Sequence, residues 1–186
     1  MRRYFAIVVT LGLLTGCEGL PSPKPSANGV VIESSEDLTI GYGSLGPAKV
    51  GMTKSEALDT GLFAREKFDP AKKCKASALK WKKQFTGVEV RTDTAGTIRS
   101  LSVVRPGPRT QYGIEVGSDL ADIRGPYASS LIGPAKVGSG AGQYVQKDGR
   151  WMGFLFAKSP DELDVLDKIT FIEVTEGSKP QLQRSC

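Results

Sequence analysis

Apolar residues first gather at Tyr4–Leu14, an uncharged run behind the basic start Met1-Arg2-Arg3. As a helix this run rises only about 16 Å, against about 30 Å for a hydrocarbon core. A basic start followed by a short apolar run has the form of a secretory signal peptide rather than a membrane span. Glu18 to about Asp37 has no periodicity and holds Pro21, Pro23, Pro25, Ser22, Ser26 and Gly29, which predicts an extended, solvated tether. From Leu38 the pattern becomes that of a folded chain. Thr53 with Glu56 forms a capping box and predicts a short helix ending near Thr60-Gly61. Asp119 with Asp122 predicts a second helix, interrupted near Gly125-Pro126. Strand-like segments follow each helix. Ala78–Phe85, Val88–Thr92 and Thr97–Val104 follow the first, with a turn at Asp93-Thr94-Ala95-Gly96. Gly142–Gln146, Arg150–Ala157 and Lys168–Thr175 follow the second, with a turn at Lys147-Asp148-Gly149.

This order predicts an α+β fold of two tandem helix-then-antiparallel-meander repeats packed as one compact unit. The repeat has a local signature. Ala48 to Ala57 aligns with Ile114 to Ile123, 66 residues later, each with Val-Gly, one residue, a capping residue, then an acid three further on. A competing register exists, because Gly46-Pro47-Ala48-Lys49-Val50-Gly51 recurs as Gly133-Pro134-Ala135-Lys136-Val137-Gly138. The second copy lacks the capping residues, so we read it as local coincidence.

The apolar run ends at Leu14-Thr15-Gly16-Cys17, which resembles the lipobox of bacterial lipoproteins. The resemblance implies cleavage before Cys17 and a diacylglyceryl thioether on its sulfur, with localisation extracytoplasmic and anchored to a bacterial membrane. Arg2-Arg3-Tyr4-Phe5 also loosely resembles a twin-arginine export signal, so the export route stays open. The segments are then 1–16 signal peptide, 17–37 lipidated Cys and tether, 38–110 first repeat, 111–177 second repeat and 178–186 tail. Cleavage would lower the net charge from +5 to +3, a mild excess that suits anionic lipid or wall polymer and gives no reason to expect nucleic acid. With Cys17 lipidated, Cys74 and Cys186 remain as a pair, read as a disulfide outside the cytoplasm. Free thiols or a redox pair are the alternatives, although no CxxC spacing is present.

The stretch Val50-Gly51-Met52-Thr53-Lys54-Ser55-Glu56-Ala57 resembles the helix start of two groups, the small outer-membrane assembly lipoproteins and the secreted beta-lactamase inhibitory proteins. In the second repeat Ser118 and Asp119 replace Met and Thr, so the match decays there. The resemblance implies helices packed on one sheet face and a binding role without catalysis. The inhibitory proteins carry a disulfide within each repeat, whereas here the single available pair joins the first repeat to the C-terminus, and no inhibitor contact residue carries over.

The chain has no His, which excludes Ser-His-Asp or Cys-His catalysis and His-ligated metal. No P-loop, dinucleotide fingerprint or nucleophile elbow is present, and no cofactor is expected. Arg150-Trp151-Met152-Gly153-Phe154-Leu155-Phe156 is apolar on both faces: Trp151 and Leu155 point one way, Met152, Phe154 and Phe156 the other. One set, extended by Trp81, Phe85 and Tyr144, is the candidate surface for an unidentified protein or envelope component. The alternative is a central strand buried on both sides. Lys72, Lys73, Lys75, Lys80, Lys82 and Lys83 form a basic cluster, either a solvated face or a contact for anionic headgroups. Asp161, Glu162, Asp164 and Asp167 are oxygen-rich but do not fit an EF-hand, and no metal site is assigned. The expected function is a membrane-anchored, non-catalytic binding module. A tethered inhibitor of an envelope enzyme is the alternative, with a carboxylate-dependent enzyme on wall polymers behind it.

Overall fold

The computed structural model describes residues 31–66 and 77–183. Cys17, Cys74 and Cys186 therefore lie outside the described residues, as do Lys72, Lys73 and Lys75. In chain order the elements are β1 (Thr39–Gly41), β2 (Ser44–Leu45), β3 (Ala48–Lys49), α1 (Lys54–Asp59), β4 (Phe63–Arg65), β5 (Leu79–Trp81), β6 (Val88–Thr92) and β7 (Ile98–Val103). They continue as β8 (Arg109–Thr110), α2 (Leu120–Tyr127), β9 (Leu131–Val137), β10 (Gly140–Lys147), β11 (Arg150–Phe156) and β12 (Ile169–Glu176). The fold class is α+β.

Both helices start as their sequences dictate. The Thr53 amide donates to Glu56 Oε2 at 2.8 Å, and the Thr53 hydroxyl oxygen accepts from the Glu56 amide at 3.3 Å. The Asp119 amide donates to Asp122 Oδ2 at 2.9 Å. These bonds occupy amides that a helix start leaves without intrahelical partners. The Thr53 amide, and then its hydroxyl, hold the Glu56 carboxyl below its ordinary value, so this contribution to stability is present at neutral pH and is lost as pH falls through the lowered value. Thr53→Ala is expected to cost about 1 kcal/mol, read from the urea midpoint at unchanged slope.

The main sheet has six strands in the order β6-β7-β12-β11-β10-β9, every neighbouring pair antiparallel. Strands β9 to β12 form a meander. The sheet is then extended by β7 pairing with β12, with Val103 opposite Ile172 and Leu101 opposite Val174. A four-stranded sheet runs β3-β2-β1-β8, with β1 and β8 parallel, and β4 pairs with β5. One face of the main sheet presents Leu101, Val103, Met152, Phe154, Phe156, Ile172 and Val174 to the principal core. Leu120, Ile123 and Tyr127 of α2 are buried, a spacing that lies along one helical face. Tyr127 meets Phe154 at 6.1 Å between ring centroids, and burial pushes its phenol up to about 12.

Several expectations need correction. Period-two alternation over Ala78–Phe85 predicted one long strand, but only Leu79–Trp81 is extended. The chain turns where the Phe85 amide donates to the Lys82 carbonyl at 3.0 Å, and Phe85 is buried from that turn. Helix α2 is not interrupted at Gly125-Pro126; Pro126 lies inside it, and the buried Tyr127 anchors the last turn. Packing of that ring outweighs the local cost of the proline. The folded unit also begins before residue 38. Ile32 packs on the core, and Ser35 Oγ donates to the Thr86 carbonyl at 2.6 Å. The duplicated hexapeptide takes two different conformations: the first copy turns from β2 into β3, whereas the second lies mostly within edge strand β9, where Pro134 removes no interior ladder bond.

Candidate functional site

Strand alternation gives the main sheet a second face. Tyr144 of β10 and Phe171 of β12 are buried there, and Trp151 and Leu155 of β11 pack against them with Val137 of β9. Of the six aromatic residues singled out from sequence, the structure places only Tyr144 and Trp151 together on this face. Phe154 and Phe156 are fully buried on the opposite face, so they form core and not an exposed patch. Trp81 and Phe85 also fail to extend a surface. Both are buried, with Trp81 4.4 Å from Phe63 and 5.8 Å from Phe85 between ring centroids. The physical reason is that Trp81, Phe63 and Phe85 pack together as part of the principal core. Trp151 is half-buried, the most accessible of the six.

The second face carries a charge that sequence reasoning missed. Glu173 lies between Ile172 and Val174 in β12 and is 1% exposed. Its Oε2 accepts from the Leu182 amide at 2.7 Å, and its Oε1 lies 3.7 Å from Arg91 Nη2. The same Arg91 nitrogen donates to the Gln183 carbonyl at 2.9 Å. Burial, and after it the negative charge of Glu173, pushes the Tyr144 phenol above its ordinary value. The signal was an acid at mid-strand among Phe171, Ile172 and Val174, where an unpaired charge is costly.

Residues 178–183 close over this face without regular structure. The Gly177 amide donates to the Gly149 carbonyl at 2.8 Å, and Thr175 Oγ1 donates to the Ser178 carbonyl. Lys179 Nζ then sits 4.0 Å from the Tyr144 ring centroid, while Pro180 and Leu182 turn inward. Leu182 fits where two glycines on neighbouring strands leave room. A Cβ at Gly142 would lie 2.8 Å from Leu182 Cδ1, and one at Gly153 2.9 Å from Leu182 Cδ2.

Elsewhere several charges pair with neighbouring groups. A groove of about 520 Å³ is lined by Glu36, Asp37, Arg109 and Glu115. There Arg109 pairs with Glu115 at 3.0 Å, and the Ser34 and Glu33 amides hold the Asp37 carboxyl below its ordinary value. In the acidic stretch after β11, Asp167 pairs with Lys158 at 2.8 Å and Glu162 accepts from Ser159 Oγ at 2.7 Å. Among the described residues no three acids or cysteines converge as a metal site. Lys80, Lys82 and Lys83 are exposed.

Fold and site together describe a small antiparallel-sheet module with one aromatic face covered by its own C-terminal segment. No family model matches the chain, and no curated protein matches it. A solved structure it resembles is that of the uncharacterized protein yfeY from Escherichia coli, at 15% identity and a TM-score of 0.43, over 78% of this chain and 100% of that one.

Proposed function

We propose that the chain is a non-catalytic binding module, held at an extracytoplasmic membrane face by lipid on Cys17, that recognises a protein or envelope component through the second face of its main sheet. The observation that carries the reading is this face: Tyr144, Trp151, Leu155 and Phe171 gathered around one buried, partnered carboxylate under a cover of irregular chain. Aromatic anchors beside a fixed polar group are what recognition surfaces use for affinity and orientation. Cys74 and Cys186 form a disulfide in this reading.

We also read the two halves as tandem repeats. Helix α1 is followed by β4 to β8 and α2 by β9 to β12, and β7 and β12 of the two halves pair with each other. The backbone around the repeated Val-Gly supports the same alignment. The Gly51 amide donates to the Ile98 carbonyl and the Ile98 amide to the Met52 carbonyl; the Gly117 amide donates to the Ile169 carbonyl and the Ile169 amide to the Ser118 carbonyl. Gly51 and Gly117 both adopt positive φ, at 89° and 100°, where a side chain would be strained.

The test is affinity capture from detergent-solubilised membranes of the producing cell, with the wild-type chain and Trp151→Asp side by side. A stoichiometric species retained by the wild type and lost by the folded variant is expected. Equal recovery with both would remove this face as the recognition surface.

A further inference from the structure

We infer that the sheet face around Gly142, Gly153 and Glu173 is a docking site for an extended segment of a partner protein, and that the chain's own residues 179–183 occupy it in cis until they are displaced. This rests on the binding-module reading and specifies the chemistry of its partner.

The site is built on the sheet, and its occupant is not. The socket walls come from β10, β11 and β12, which hydrogen-bond along their lengths. Gly142 and Gly153 remove two side chains from one area of that face, and Leu182 fills the space. Beside the socket, the carboxylate of Glu173 is aimed at a main-chain amide, while Arg91 reaches a main-chain carbonyl one residue further on. A site that reads one N–H, the next residue's C=O and one aliphatic side chain recognises a peptide segment, not a polymer of sugar or phosphate. Tyr144 adds an aromatic face on which Lys179 rests, so a cation three residues before the apolar side chain completes the motif.

The cis occupant fits with strain. Leu182 has a φ of 53°, a left-handed conformation rare for a residue with a branched side chain. Leu182 follows the end of β12 by six residues, with a further positive φ at Gly177. The cover is held by its bonds to Glu173 and Arg91 and by few buried side chains. Only Pro180 and Leu182 are buried in it, whereas Gln181 and Gln183 are exposed. Segments with few buried contacts open more readily than the sheet beneath them.

The experiment uses the full chain and a fluorescein-labelled peptide, Ser-Lys-Pro-Gln-Leu-Gln-Arg, followed by anisotropy. Leu182→Ser empties the socket without altering its walls, and folding is checked by cooperative urea unfolding. The variant is expected to bind the peptide at least about tenfold more tightly than the wild type, because the wild-type site is open for only a fraction of the time. Adding Gly153→Val should abolish this binding, adding Glu173→Gln should weaken it, and a peptide with Ser in place of Leu should not bind. A folded Leu182→Ser chain that ignores the peptide overturns the inference, as does binding that survives Gly153→Val. A dimer of the variant formed without peptide assigns the site to a second copy of the chain and likewise overturns it. If Leu182→Ser does not fold, native-state hydrogen exchange of the wild type decides. Leu182 should exchange by local opening well ahead of β11 and β12, and exchange only through global unfolding overturns the inference. Failure of membrane capture with an intact peptide result would sink the binding-module reading alone.

Discussion

Cys17→Ser is expected to release the protein from the membrane fraction, or to leave it unprocessed with its signal peptide attached. The effect follows from the energetics of acyl chains in a bilayer. Each buried methylene contributes about 0.8 kcal/mol, a single chain holds a protein only marginally, and two chains hold it firmly. Losing a diacylglyceryl group therefore shifts partitioning by several orders of magnitude, more than any surface substitution in the folded part would do. Among the described residues no helix is long and apolar enough to cross a membrane. Metabolic labelling with a radioactive fatty acid, read alongside membrane fractionation, checks the prediction. Label on the Ser variant, or an unmodified wild-type Cys17 in intact mass spectrometry, would refute the anchor.

The legible parts of the fold were those with long periods or local chemistry. β6 matches the expected Val88–Thr92, and β7, β10, β11 and β12 fall within two residues of the expected bounds, because alternation along strands of five to eight residues survives local noise. Both capping boxes were visible because their partners are three residues apart. The strands β1, β2, β3 and β8 are only two or three residues long, too short to show a period, and exist through pairing with distant chain. β9 was hidden for another reason: Gly133 and Pro134 read as loop residues and are tolerated because the strand lies at the sheet edge.

The site divides along the same line. That Trp151 and Leu155 face away from Met152, Phe154 and Phe156 was readable from alternation, and it holds. Which face would be covered was not readable, since burial depends on what arrives from elsewhere in the chain. Trp81 and Phe85 show this. They have the composition of an interface, and packing with Phe63 in the principal core buries them. Residues 178–183 read as a polar tail because only Pro180 and Leu182 are apolar. Their burial depends on Gly142 and Gly153, which lie in two different strands and meet only when β10 pairs with β11.

Replacing Cys74 and Cys186 together by Ser is expected to lower stability by up to about 5 kcal/mol, the loop-closure value for a crosslink between positions 112 apart. Described residues flanking each cysteine in sequence are bonded to β6. The Ala78 amide donates to Thr92 Oγ1 at 2.9 Å, and Arg91 Nη2 donates to the Gln183 carbonyl at 2.9 Å. Thr92 and Arg91 are consecutive in β6. Cys74 lies three residues before Ser77, and Cys186 three residues after Gln183. A bond there would act mainly on the unfolded chain, removing the freedom of a loop that includes most of both repeats. Urea unfolding of the oxidised chain and of the double variant measures the difference. Non-reducing peptide mapping should recover one crosslinked peptide containing both residues, and alkylation of both thiols in the native protein would exclude the bond whatever the unfolding curves show.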